Sequence, residues 1–133
     1  MNYTRNGIYT RIAEAIEAAE SGVKCYSRYT EIVEKFPAAF IYPLSTDEPQ
    51  RYRTLAGDSE VLSTTFEVQL FSNLTSGAEA QTKRMSDAVL GALRAMHFRV
   101  TSARPVLNND PSIYRFVIRA SRLIGGADEM PSN

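Results

Sequence analysis

The sequence predicts an α/β (α+β) fold, a mixed or mainly antiparallel sheet of about four to five strands with two helices packed on one face. Three observations predict it. Residues 4–20 and 76–97 carry apolar side chains at helical spacing. Residues 60–71 and 112–123 alternate apolar and polar side chains, the mark of strands with one buried face. A sheet with both helices on the same side is the simplest arrangement that buries every one of these stripes.

Composition sets the frame. The chain has 133 residues, 44% of them hydrophobic, which suits one domain with an ordinary core. We expect that domain over residues 1–124 and a flexible polar tail over 125–133, opened by Gly125-Gly126. Fifteen Lys and Arg balance fifteen Asp and Glu. A neutral chain gives no reason to expect sequence-specific nucleic-acid binding or attraction to an anionic membrane. No stretch approaches a membrane span, and the N-terminus has no secretory h-region. The single cysteine, Cys25, excludes an internal disulfide and a Cys-based zinc site, and a reducing compartment fits best.

The elements follow in order. Ile8, Ile12 and Ile16 recur every four residues beside Ala15 and Ala19, and Ser21-Gly22 stops the helix. Residues 23–29 suit a short strand, and residues 30–36 suit a single helical turn ended by Pro37. The apolar run Ala38-Ala39-Phe40-Ile41-Tyr42 reads as a buried strand stopped by Pro43. Residues 45–59 have no apolar period and read as a long, mobile loop with Arg51, Tyr52 and Arg53 at its centre. In the next strand Leu62, Phe66, Val68 and Leu70 face inward; Ser63, Thr65, Glu67 and Gln69 face water.

Ser76 and Glu79 form a capping box for the second helix. Its stripe is Met85, Val89, Ala92, Leu93 and Met96, ending near His97. Phe98, Val100 and Ser102 begin a strand interrupted by Pro105, and residues 108–111 turn the chain. In the last strand Tyr114, Phe116, Ile118 and Ala120 face inward, with Arg115, Val117, Arg119 and Ser121 outward. Phe66, Val68, Leu93, Phe116 and Ile118 are the expected core.

The search for chemistry is mostly negative. The chain lacks a phosphate-binding loop, a dinucleotide fingerprint, a His-Glu-x-x-His helix and a Gly-x-Ser-x-Gly elbow. We therefore expect no catalytic residues, no metal site, no cofactor and no enzymatic activity. Cys25 and His97 are the one conceivable nucleophile–base pair, and a lone Cys is more often a small core hydrophobe. Carboxylates such as Glu14 and Glu17 sit on solvated faces. The feature left over is the outward face of the sheet. Pairing of the two long strands would set Glu67 and Gln69 against Arg115 and Arg119, with ion pairs worth about 0.2–1 kcal/mol each.

The order of elements and the segments 36–42, 65–72, 76–80, 93–100 and 110–119 resemble the tail-terminator (tail-completion) and minor capsid or neck proteins of tailed bacteriophages. The resemblance covers about residues 5–124 and is one of element order rather than of a diagnostic motif. It implies a non-enzymatic virion protein, assembled in the bacterial host cytoplasm, that closes the head-proximal end of the tail tube as a ring, commonly hexameric. The implied partners are copies of itself, the tail tube protein and a head-completion or neck protein; no membrane is involved. Arg51, Tyr52, Arg53, Glu67, Gln69, Arg115 and Arg119 are the candidate assembly-interface residues, since a ring needs two complementary surfaces per subunit. The alternatives are a head–tail stopper or joining protein of the neck, or a small α/β domain that binds a ligand or a protein.

Overall fold

The computed structural model describes residues 5–28, 33, 35–47 and 61–125. Helix α1 (Arg5–Ala19) leads to strands β1 (Lys24–Tyr26) and β2 (Ala38–Asp47). Then come β3 (Val61–Ser72), helix α2 (Ala78–Ala95), β4 (Arg99–Val106) and β5 (Tyr114–Gly125). The five strands form one sheet in the order β1-β2-β3-β5-β4. Only β1 and β2 run parallel; every other neighbouring pair is antiparallel. Among the described residues the fold is thus α+β with a mixed sheet and two helices, as the sequence predicts.

Both helices pack on the same face. Isoleucines at i, i+4 and i+8 form a narrow stripe on α1, and Ile8, Ile12 and Ile16 are all buried. They meet Met85, Val89 and Leu93 of α2 and the inward residues of the sheet, Ile41, Phe66, Val68, Leu70 and Ile118. Each such side chain contributes about 1.5–3 kcal/mol by leaving water. Phe66, Val68, Leu93 and Ile118 are core as expected, whereas Phe116 is only partly buried at its margin. A hydrogen-bond chain ties the layer together at one end. Ser72 Oγ donates to Gln81 Oε1 at 2.5 Å, and Gln81 Nε2 donates to Glu20 Oε2 at 3.0 Å. Arg84 Nε donates to Glu20 Oε1 at 2.9 Å.

The opposite face is not uniformly wet, and here the sequence-based expectation is corrected. Ala38, Phe40 and Phe71 form a second buried cluster, flanked by Tyr26, Val33, Phe36, Tyr42 and Ile113. Tyr26 meets Phe40 edge-on at 5.1 Å between ring centroids. The physical reason lies in β2: an unbroken apolar run presents side chains to both faces of the sheet, so both need cover. Pro43 does not stop β2 either. The strand continues to Asp47, with a register irregularity between Pro43 and Ser45. Because β1 pairs with Ala38, Ala39 and Phe40, β2 has a single sheet neighbour at Pro43 among the described residues. A proline without an N–H is tolerated on such an edge. The same logic explains Pro105 on the edge strand β4.

The caps of α2 also differ from expectation. The helix begins after Gly77, whose φ of 91° is left-handed, and no side chain caps it. The Ser76–Glu79 capping box therefore does not form, although Glu79 still complements the helix dipole in the first turn. At the other end His97 takes φ 65°. Its N–H donates to Arg94 O at 2.9 Å, and that of Phe98 to Leu93 O at 2.8 Å. This is the double closure that usually recruits glycine. Of the loop expected over 45–59, residues 45–47 extend β2 instead, and of the tail expected over 125–133, Gly125 is the last residue of β5; residues 48–59, most of the turn over 30–36 and the tail from 126 lie outside the described residues.

Two outcomes are expected from this packing. Ile118→Ala should destabilise the protein by about 2–5 kcal/mol, and the half-buried Phe116→Ala by less than the 3–5 kcal/mol typical of a buried Phe; urea midpoints check both. His97→Gly should leave stability unchanged or raise it by up to about 1 kcal/mol, because glycine adopts the left-handed conformation without strain. Gly77→Ala should do the reverse through backbone strain alone, since a Cβ there meets no atom within 4 Å.

Candidate functional site

The sheet face turned away from the helices carries the chemistry. Strands β3 and β5 pair along their whole length, setting Glu67 opposite Arg119 and Phe71 opposite Arg115. Residues directly opposite share a face, so the two arginines stand beside the carboxylate and amide of β3. Arg119 Nε donates to Glu67 Oε1 at 2.6 Å. Arg115 Nε donates to Gln69 Oε1 at 2.9 Å, and its guanidinium lies 5.9 Å from the centre of the Phe71 ring. Strand β2 adds Tyr42, whose hydroxyl donates to Glu67 Oε2. Gln69 Nε2 donates to Glu67 Oε2 at 3.0 Å and to the Tyr42 hydroxyl oxygen at 2.6 Å.

Burial divides this network by depth. Glu67 and Gln69 are only 5% and 4% exposed, whereas the Arg119 side chain is 54% exposed. The carboxylate and amide are thus structural anchors, and the guanidinium groups are what a visitor meets. Burial pushes the Glu67 carboxyl up. The hydrogen bonds from Tyr42, Arg119 and Gln69 and the Arg119 charge outweigh it and hold the group below the usual carboxylate range. Strand β4 extends the same face. Its register places Arg99 opposite Ser121 and Arg104 opposite Val117, both on the outward side of β5, and both arginines are exposed.

No protein-family model matches the sequence, and no curated protein matches it. A solved structure does match the fold, and its description is that of the sheath/tube terminator of PVC, an extracellular contractile injection system, determined by cryo-EM in the extended state. The TM-score is 0.51 at 10% sequence identity, over 100% of this chain and 62% of the other. The chain therefore spans less than two thirds of that terminator's length. The likeness is one of fold. The resemblance to tail terminators read from the element order is matched by a structure of the same architecture.

Glu67, Gln69, Arg115 and Arg119 are brought together as the sequence suggests, while Arg51, Tyr52 and Arg53 lie outside the described residues. Tyr42, Arg99 and Arg104 escaped sequence reading. Tyr42 looked like the end of a core run, and nothing local reveals that it faces Glu67. The conceivable Cys25–His97 pair does not form. Cys25 lies on the edge strand β1 and His97 precedes β4 at the other edge, about 19 Å away at four strand spacings. Burial, and then the Glu17 charge, push the Cys25 thiol up to about 11, so it is a protonated hydrophobe at neutral pH. Among the described residues no group of three or more His, Cys, Asp or Glu is placed to hold a metal ion. No helix among the described residues is long and apolar enough to cross a membrane.

The network sets an acid sensitivity of definite sign. Glu67 titrates lower folded than unfolded, so its contribution is complete above the ordinary carboxylate range and is lost as pH falls through the lowered value. Melting temperature measured against pH should therefore drop below about pH 5, and more shallowly in Glu67→Gln. At neutral pH Arg119→Ala should cost about 1–3 kcal/mol by stripping a buried carboxylate of a partner. Arg104→Ala should stay within about 0.5 kcal/mol.

Proposed function

We propose that this chain is a structural subunit that terminates a phage-type tail, capping the head-proximal end of the tail tube as a homo-oligomeric ring and offering a docking surface to the head or neck. The observation that carries the reading is the fold it shares, over its whole length, with a sheath/tube terminator. The element order of the sequence supports it independently. A neutral chain without a phosphate-binding loop or a metal-ligand cluster among its described residues is compatible with a role in assembly rather than catalysis.

In this reading the subunit acts through surfaces. A ring requires two different patches that meet head to tail. The outward sheet face with Glu67, Gln69, Arg115 and Arg119 is one candidate. The segment holding Arg51, Tyr52 and Arg53 is the other, because Arg and Tyr are the residue types enriched at interface hot spots. The protein acts inside the particle, with the tube protein and a neck component as partners.

The test is complementation of a particle that lacks the subunit. Loss should leave tails of irregular length or tails that fail to join heads, visible by negative-stain electron microscopy, and the wild-type chain should restore them. Replacing Arg51, Tyr52 and Arg53 together by Ala should leave the melting temperature nearly unchanged while reducing tail completion. Normal tails without the subunit would overturn the reading.

A further inference from the structure

The outward face of β3, β5 and β4 has an uneven charge. Among the described residues it carries Arg99, Arg104, Arg115 and Arg119 against a single carboxylate, Glu67. That carboxylate is buried and already bonded to Arg119, Tyr42 and Gln69. The chain as a whole is neutral, so this surplus is a property of one face and not of the protein.

The arginines are also posed. Arg119 and Arg115 each spend their Nε on the sheet, on Glu67 and Gln69 respectively. This fixes the guanidinium plane and leaves the two terminal nitrogens as the groups to be shared. A guanidinium held this way suits a carboxylate, which accepts two parallel N–H bonds. Less side-chain freedom remains to be lost on binding. Arg99 and Arg104 are exposed on the neighbouring edge strand, and neither has an ion pair among the described residues.

The layout also selects among occupants. The same face of a second copy is disfavoured, since four arginines would meet four arginines. The helix layer of a second copy offers a poor match, because it is mixed in sign: the exposed carboxylates Glu14, Glu17 and Glu79 stand among Arg11, Lys83, Arg84 and Arg94. Lys83 pairs with Asp87 at 3.1 Å and Arg84 with Glu20 at 2.9 Å. We infer that this face docks a carboxylate-rich surface of a different protein, with Arg115 and Arg119 as preset forks and Arg99 and Arg104 as the outer contacts. The inference rests on the charge layout and does not depend on the terminator reading.

The full-length protein, labelled with a fluorophore, is titrated at low ionic strength with poly-L-glutamate and, separately, with a random-sequence DNA duplex. Poly-L-glutamate should bind more tightly than the duplex. The double variant Arg99→Glu/Arg104→Glu leaves the Glu67 network intact and should keep the melting temperature. It should weaken poly-L-glutamate binding by about tenfold or more. Lys83→Glu/Arg94→Glu makes the same change in net charge on the exposed side of α2 and should leave binding unchanged. Absence of poly-L-glutamate binding, equal losses in the two double variants, or tighter binding of the duplex would each overturn the inference. The last would mark a surface for nucleic-acid backbone instead. Failure in the tail-completion test would leave these results standing, and the converse holds as well.

Discussion

The rest of the structure hangs on the ladder between β3 and β5. These strands pair in register from Val61 with Gly125 to Ser72 with Tyr114. Because side chains alternate, that register decides which residues face the helices and which face away. It puts Val68 beside Ile118 and Phe66 beside Ala120 on the helix side, and Glu67 beside Arg119 on the other. A slip of one residue would drive the arginines into the core and expose Ile118. The hydrophobic core and the arginine face are thus two consequences of one pairing.

The two sides of the sheet solve different problems. The helix side is a dry core of aliphatic and aromatic side chains, with Phe66 meeting Phe98 edge-on at 6.2 Å between centroids. The other side has no helix upon it in the described chain and is built in two halves. Around β2 it is aromatic; across β3 and β5 it is a polar network. Such a network is stable only when its members are satisfied, since an unpartnered buried polar atom costs about 1–3 kcal/mol. Among the described residues no buried side-chain nitrogen or oxygen lacks a partner. The two arginines that complete the network project from it, so the stabilising device and the accessible surface share atoms.

At 10% identity the likeness to a sheath/tube terminator is a likeness of architecture. An architecture hosts many roles, and what a subunit does is decided by the chemistry of its surfaces. Here the described surface offers no constellation for metal chemistry, and its cysteine is a half-buried, protonated thiol. It offers instead a sheet face of posed cations and blunt strand edges. One edge strand is three residues long and the other carries Pro105 and exposed arginines, features that discourage indiscriminate strand pairing. Short or charged edges of this kind favour contact through side chains over extension of the sheet.

Wherever periodicity alone was decisive, the sequence by itself determined the outcome. The isoleucines of α1, the stripe of α2 and the alternation of β3 and β5 each follow from local spacing, because burial rewards one period and penalises the other. The opposition of Glu67 and Gln69 to Arg115 and Arg119 was legible too, as the phase of two alternating strands. Other features belonged to the tertiary structure alone. Whether Pro43 ends a strand depends on how far β1 reaches along β2. Whether Ser76 or Gly77 starts α2 depends on the direction in which the chain leaves β3. Tyr42, Arg99 and Arg104 join the site only through the strand order β1-β2-β3-β5-β4, which no local pattern encodes. The burial of Glu67 and Gln69 was decided in the same way. A charged position on an alternating strand reads as wet until the register brings side chains from both neighbouring strands across it.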